Sequence, residues 1–280
     1  MLHFLAQQLF IFDPLSLFFL IVIFIVSLPS LIYSFSYLKG EYSITKIILA
    51  QILLLAFVLS MALVVSVRNC LIFLVFWEIM SLVSYFLVVF DTNHERSIQA
   101  GLVYIVMTHI GTAFIIAAFM ILHRHAHSFD FFALKNACKT LPSQTKDILF
   151  LLFLIGFGTK AGIVPLHIWL PYAHPQAPSH ISSIMSGVMI KTAIYGIIRF
   201  VLFVLGVNSP WWGVLVLILA IISCLVGIIY ALMEHDLKRL LAYSSVENIG
   251  IILCGVGLAI FFCGININYS RVGLNPPYYC

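Results

Sequence analysis

The sequence predicts an all-α fold, a polytopic bundle of transmembrane helices, on three observations. Apolar residues make up 63% of the 280 positions and Asp, Glu, Lys and Arg only 9%. Soluble domains carry about a quarter charged residues, so these charges are too few to cover a water-exposed surface. The apolar residues also fall into runs of about 20, the length that crosses a hydrocarbon core as a helix. Short polar breaks separate the runs, as between antiparallel neighbours.

Eight spans are expected, near residues 12–34, 45–67, 71–90, 98–122, 148–170, 181–205, 211–233 and 240–262. Asp13 and Pro14 interrupt the start of the first, but the run beyond them is long enough to cross, so it reads as a helix and not as a cleavable signal. Only Arg68 and Asn69 divide the second span from the third, which carries Glu78. After the fourth comes the one long break, 123–147, with room for a short helix on the surface. The fifth holds Gly156, Gly158 and Gly162 around Lys160, with Pro165 close behind. Glycine loosens a helix and proline removes one of its hydrogen bonds, so a broken helix is expected near Lys160. The sixth carries Lys191, and the seventh follows the break at 206–210. The eighth is the least secure, because Ser244, Ser245, Glu247 and Asn248 lie near its start. No linker or composition shift divides residues 1–263, which read as a single transmembrane domain.

Several function classes fall away. A net charge of +4 without a Lys/Arg stripe does not suit nucleic acid. The six cysteines form no CxxC pair and no metal-ligand spacing with histidine, so they read as buried thiols acting as small hydrophobes. No cofactor and no metal is expected: there is no cysteine set or nucleotide motif for a flavin, an iron–sulfur cluster or nickel. The segment GFGTKAG (156–162) lacks the spacing and preceding strand of a phosphate loop. His123, His125 and His127 fit a solvated tract beside the membrane better than a metal site. Orientation is not decided by charge: Lys39, Lys46, Arg96, Lys238 and Arg239 on one side balance Arg68, Arg124, Lys135, Lys139 and Lys146 on the other.

Three charges remain at membrane depth: Glu78, Lys160 and Lys191. Such a charge costs roughly 2.5–3.5 kcal/mol on insertion scales, so it persists where it pairs, faces a hydrated cavity or carries ions. One could be a structural ion pair; three of mixed sign favour a proton or cation path. Movement of Glu78 toward or away from Lys160 would switch the lysine between holding and releasing a proton. Broken helices at this depth line cavities and form ion sites in transporters. His109, His167, His174 and His180 could relay protons, although a satisfied structural histidine is at least as good a reading for any one of them.

The same residues carry a family resemblance. KAGIVPLHIWLPYAHPQAPSHISSIMSGVMIKTAIYGIIRF (160–200), FWEIMSLVSYFLV (76–88) and EHDLKRLLAYSSVENIGII (234–252) resemble, in order, blocks of an antiporter-like membrane subunit family. Respiratory complex I, the Mrp cation/proton antiporters and membrane-bound hydrogenases share that family. The resemblance covers about residues 10–260, and MSGVMIK and YSSVENIG most resemble the hydrogenase-4 and formate hydrogenlyase branch.

It implies a proton-translocating subunit of a membrane-bound hydrogenase or an NADH:quinone oxidoreductase-type complex, multi-pass in a bacterial inner membrane. Partners would be other membrane subunits, with the redox chemistry held by them. An Mrp-type sodium/proton antiporter subunit and a non-functional structural remnant are the alternatives. Glu78 corresponds to the glutamate that modulates the pumping lysine, Lys160 to that lysine, and Lys191 to the lysine passing protons along the central axis. The breaks at 91–97, 171–180 and 234–239 would face the cytoplasm. Family members begin about two helices earlier and contain two inverted repeats. Only the first, about 45–205, is complete here, and residues 264–280 no longer resemble the family. A truncated, frameshifted or split gene is the corresponding expectation.

Overall fold

Asp13 and Pro14 start the first helix instead of breaking it. The Asp13 carboxylate accepts from the Ser16 backbone N–H at 2.9 Å, and proline at the first position has no N–H to leave unsatisfied. The computed structural model describes residues 9–39, 42–90 and 95–271, with side chains through 267. The expected breaks at 39–46 and 91–97 lie partly outside the described residues, as does the end of the divergent tail with Cys280.

The helices in chain order are α1 (Pro14–Leu38), α2 (Ile44–Ser66), α3 (Cys70–Val88), α4 (Glu95–Ala126), α5 (Phe131–Cys138), α6 (Ser143–Ala161), α7 (Trp169–Gln176), α8 (Ser179–Leu205), α9 (Pro210–Met233) and α10 (Leu237–Arg271). Seven of them, α1 to α4 and α8 to α10, are long and apolar enough to cross a membrane. The segment expected at 148–170 is the broken one: α6 stops at Ala161 and α7 resumes at Trp169. The short surface helix expected in 123–147 is α5, capped by Asp130, whose side chain accepts from Phe132 N and Ala133 N. α10 runs to Arg271, past the point where the sequence resemblance ends.

α8 is irregular in a way that periodicity did not suggest. It contains wide π turns at Met185–Met189 and Ile198–Leu205, a feature that recurs at functional sites.

An aromatic core sits between α3, α4, α6 and α8. The Phe200 ring lies 5.1 Å from Phe73 and 4.9 Å from Phe119 between centroids, and stacks on Phe157 at 5.6 Å. Trp77 lies one turn along α3, in edge contact with Phe157 at 5.3 Å. α4 and α6 approach backbone to backbone: a Cβ on Gly156 would stand 2.8 Å from the Gly111 carbonyl oxygen. Gly156 is therefore a packing residue more than a loosening one, which corrects the sequence reading. α9 and α10 form an equally close hairpin, where a Cβ on Gly213 would stand 2.4 Å from Phe261 N. Small residues allow this where helices cannot rely on a hydrophobic drive to associate.

The outer faces are apolar, with Phe18, Phe24, Ile25 and Ile32 of α1 exposed, as suits contact with lipid chains. Cys70, Cys138, Cys224 and Cys254 are free thiols, the first two buried. Cys263 is disulfide-bonded and so departs from the reading of all six as thiols.

Candidate functional site

The break between α6 and α7 is built from local chemistry. Gly162 takes the left-handed conformation at φ 79°, which a side chain would strain. Its N–H and that of Ile163 close onto the Gly158 carbonyl, each at 3.0 Å. Interrupting a helix orphans backbone groups that lipid could not satisfy. Here the Trp169 indole N–H donates to the Thr159 carbonyl at 2.7 Å, and the Val164 N–H donates to Ser223 Oγ of α9 at 3.1 Å. These bonds hold Lys160 on the last turn of α6.

Lys160 is 1% exposed. Its Nζ donates to Ser81 Oγ at 2.5 Å and lies 4.5 Å from the centroid of the Trp77 ring. Ring face and hydroxyl both suit a cation, but no carboxylate among the described residues forms an ion pair with it. Glu78 instead pairs with His109 of α4, Oε2 to Nε2 at 3.2 Å, while Glu78 Oε1 is buried without a hydrogen-bond partner among the described residues. Successive helix residues turn by about 100°. Trp77 and Ser81, four apart, therefore share the face toward Lys160, and Glu78 faces α4. His109 Nδ1 lies 2.9 Å from the Ile105 carbonyl, so the ring is held from both ends.

Lys191 is half-buried on α8, just past the first π turn, and donates to the Ser186 carbonyl of that turn at 2.5 Å. Ser186 Oγ in turn lies 2.6 Å from Ser245 Oγ of α10. The interior also carries a buried hydroxyl pair, Ser84 Oγ and Tyr104 Oη 2.6 Å apart, with Tyr104 Oη 3.6 Å from Met189 Sδ of α8. No direct hydrogen bond among the described residues joins Lys160 to Lys191.

The histidines expected to cluster have separate surroundings. His174 is buried, with Nδ1 2.5 Å from Ser182 Oγ. His180 is buried against the edge of the Tyr37 ring, 5.3 Å between centroids. His167 lies in the break, half-buried, and forms no hydrogen bond among the described residues to either lysine or to His174. Lys238 closes the end of α7, donating to the Pro175 and Ala177 carbonyls at 3.3 and 2.9 Å. His123 stacks on Phe129 at 3.9 Å.

Sequence reasoning missed Ser81, Trp77, Ser186 and Lys238. The first two carried a signal: they stand three residues after and one before Glu78, within one turn. Ser186 carried none, because a π turn leaves no trace in apolar periodicity. It also missed Arg199, whose Nη1 and Nη2 donate to the two Asp13 oxygens at 2.5 and 2.7 Å.

Residues 67–267, most of the chain, match the family described as NADH:quinone oxidoreductase/Mrp antiporter, TM. Residues 4–46 match the NADH-Ubiquinone oxidoreductase (complex I), chain 5 N-terminus. The chain is 41% identical over 249 residues to Hydrogenase-4 component B of Escherichia coli, covering 88% of this chain and 36% of that one. It is 38% identical over 189 residues to Formate hydrogenlyase subunit 3 of the same organism, covering 67% of this chain and 29% of the relative. With NADH-quinone oxidoreductase subunit M of Rickettsia typhi it shares 28% identity over 247 residues, 87% of this chain and 48% of the relative. The chain thus spans less than half the length of each of these relatives.

Proposed function

We propose, for a multi-pass membrane chain that belongs to the NADH:quinone oxidoreductase/Mrp antiporter transmembrane family, that it carries protons within a membrane-bound hydrogenase or complex I-type assembly. The observation that carries this reading is Lys160, a buried amine at the broken helix with a hydroxyl and a ring for neighbours and no ion-pair partner among the described residues. A structural ion pair would neutralise the lysine. A proton carrier needs an amine whose proton is not locked to a carboxylate.

In this reading Lys160 receives and releases the proton. Glu78 shifts its balance from the adjacent face of α3, and His109 competes for Glu78. Lys191 takes the proton onward through the hydroxyl-lined interior. His167 and His174 would relay protons between the buried lysines and the surface. The partners would be other membrane subunits, which would hold the redox centres, and the location would be a bacterial inner membrane. The similarity to Hydrogenase-4 component B and Formate hydrogenlyase subunit 3 supports the hydrogenase side of this reading.

The test is ion translocation by the assembled complex in sealed vesicles. Glu78→Gln and Lys160→Ala should each lower translocation by about 100-fold, as removal of a positioned proton-transfer group does, at unchanged amounts of assembled complex. Translocation at the unsubstituted rate in both variants overturns the reading. The family description also names Mrp antiporters, so sodium/proton exchange is the second reading; translocation independent of sodium rejects it.

A further inference from the structure

At the end of α8 away from α7, the start of α1, the end of α2 and the surface helix α5 enclose a cavity of about 380 Å³. Its lining includes neither Lys160 nor Lys191, and it plays no part in the proposed proton path. Arg68, Lys135 and Arg199 contribute three cations to its lining, and Asp13 contributes a carboxylate. Asp13 is taken up by Arg199, and Arg68 pairs with Asp130 at 2.6 Å. Lys135 forms no ion pair among the described residues. Asp130 accepts from Nε and Nη2 of Arg68, leaving Nη1 unused among the described residues. One positive charge and a guanidinium edge are therefore uncompensated at this cavity.

Its rim is apolar and open. Phe12, Phe132 and Phe203 line it and are 71%, 50% and 46% exposed. Arg68 stacks over the Phe132 ring at 4.5 Å. α5 buries Phe131, Leu134 and Cys138 while Lys135 stays exposed, the pattern of a helix lying in a membrane interface. Aromatic side chains concentrate at the same level. A site with basic groups within and exposed rings at its mouth matches a molecule that is anionic at one end and apolar at the other.

We propose that this cavity binds the phosphate of an anionic phospholipid, held by Lys135 and the free edge of Arg68, with the acyl chains along Phe12, Phe132 and Phe203. A free phosphate shares the headgroup chemistry but would make no use of the rings. The proposal rests on the chain crossing a membrane and is independent of proton transport.

Native mass spectrometry of the full chain released from detergent tests it, with phosphatidylglycerol, phosphatidylcholine of the same chains, or inorganic phosphate added separately. One phosphatidylglycerol should be retained per chain, at least about fivefold more than phosphatidylcholine. Lys135→Gln should lower retention about fivefold, the factor one basic residue contributes at an anionic surface, and Lys135→Arg should restore it. Lys135 is exposed, so folding should be unaffected. Lys139→Gln, on an exposed lysine outside the lining, should change nothing. Equal retention of the two lipids, or unchanged retention in Lys135→Gln, overturns the proposal. Displacement of the lipid by millimolar inorganic phosphate assigns the site to a free anion and overturns it as well.

Discussion

Glu78 and His109 meet across α3 and α4 at 3.2 Å, so the carboxylate on the helix that packs Trp77 and Ser81 against the buried lysine is engaged by a histidine on another helix. The arrangement gives Glu78 a choice between two basic side chains, His109 on one side and Lys160 around the helix on the other.

His109→Leu removes one of those choices. Translocation by the assembled complex should fall by about fivefold, the low end of a typical coupling between sites, and by less than in Glu78→Gln. A vesicle assay comparing the two variants at equal complex content measures this, and equal losses would show that His109 does more than compete.

Ser81→Ala takes away the hydroxyl that accepts from Lys160. A hydrogen bond to a charged group is worth about 1.5–3 kcal/mol, so translocation should fall by roughly tenfold or more. Ser81→Thr, which keeps the hydroxyl, should recover most of it in the same assay.

The glycines separate packing from propensity. A Cβ at Gly156 would stand 2.5 Å from Ile115 Cγ1 and 2.8 Å from a backbone oxygen, while one at Gly255 meets nothing within 4 Å. Gly156→Ala should destabilise the chain by about 1–3 kcal/mol. Gly255→Ala should be neutral or stabilising by up to about 1 kcal/mol, since alanine is the better helix former. Thermal unfolding in one detergent reads both.

Asp13 stands just before α1, and the hydrogen bonds from Arg199 hold its carboxyl down at about 2, from an ordinary 3.8. A lowered carboxyl stabilises the fold fully above its unfolded value and loses that contribution as pH falls through the folded one. The pair should therefore persist at pH 4 and weaken only on approaching pH 2. Asp13→Asn should lower stability by about 3 kcal/mol at neutral pH, because it leaves the buried Arg199 uncompensated. The gap between variant and parent should close in acid, and unfolding curves across that range check it.

Local rules carried much of the architecture. The lengths of apolar runs located the helices, and Gly162 with Pro165 located the break, because both act on their own stretch of backbone. Asp13 followed by Pro14 read as an interruption although it is a helix start, since a cap is recognised by the N–H groups it satisfies. The continuation of α10 to Arg271 lay beyond the resemblance, and the π turns of α8 left no periodic signal.

By itself, then, the sequence determined a membrane helix bundle with Glu78, Lys160 and Lys191 at depth and Lys160 at a broken helix, since hydropathy and backbone preference are properties of adjacent residues. Tertiary structure alone decided the partners: His109 for Glu78, Ser81 and Trp77 for Lys160, and Asp13 for Arg199 across 186 residues. Which cation a carboxylate meets depends on how helices far apart in the chain rotate and pack, and helix spacing along one segment carries no record of that.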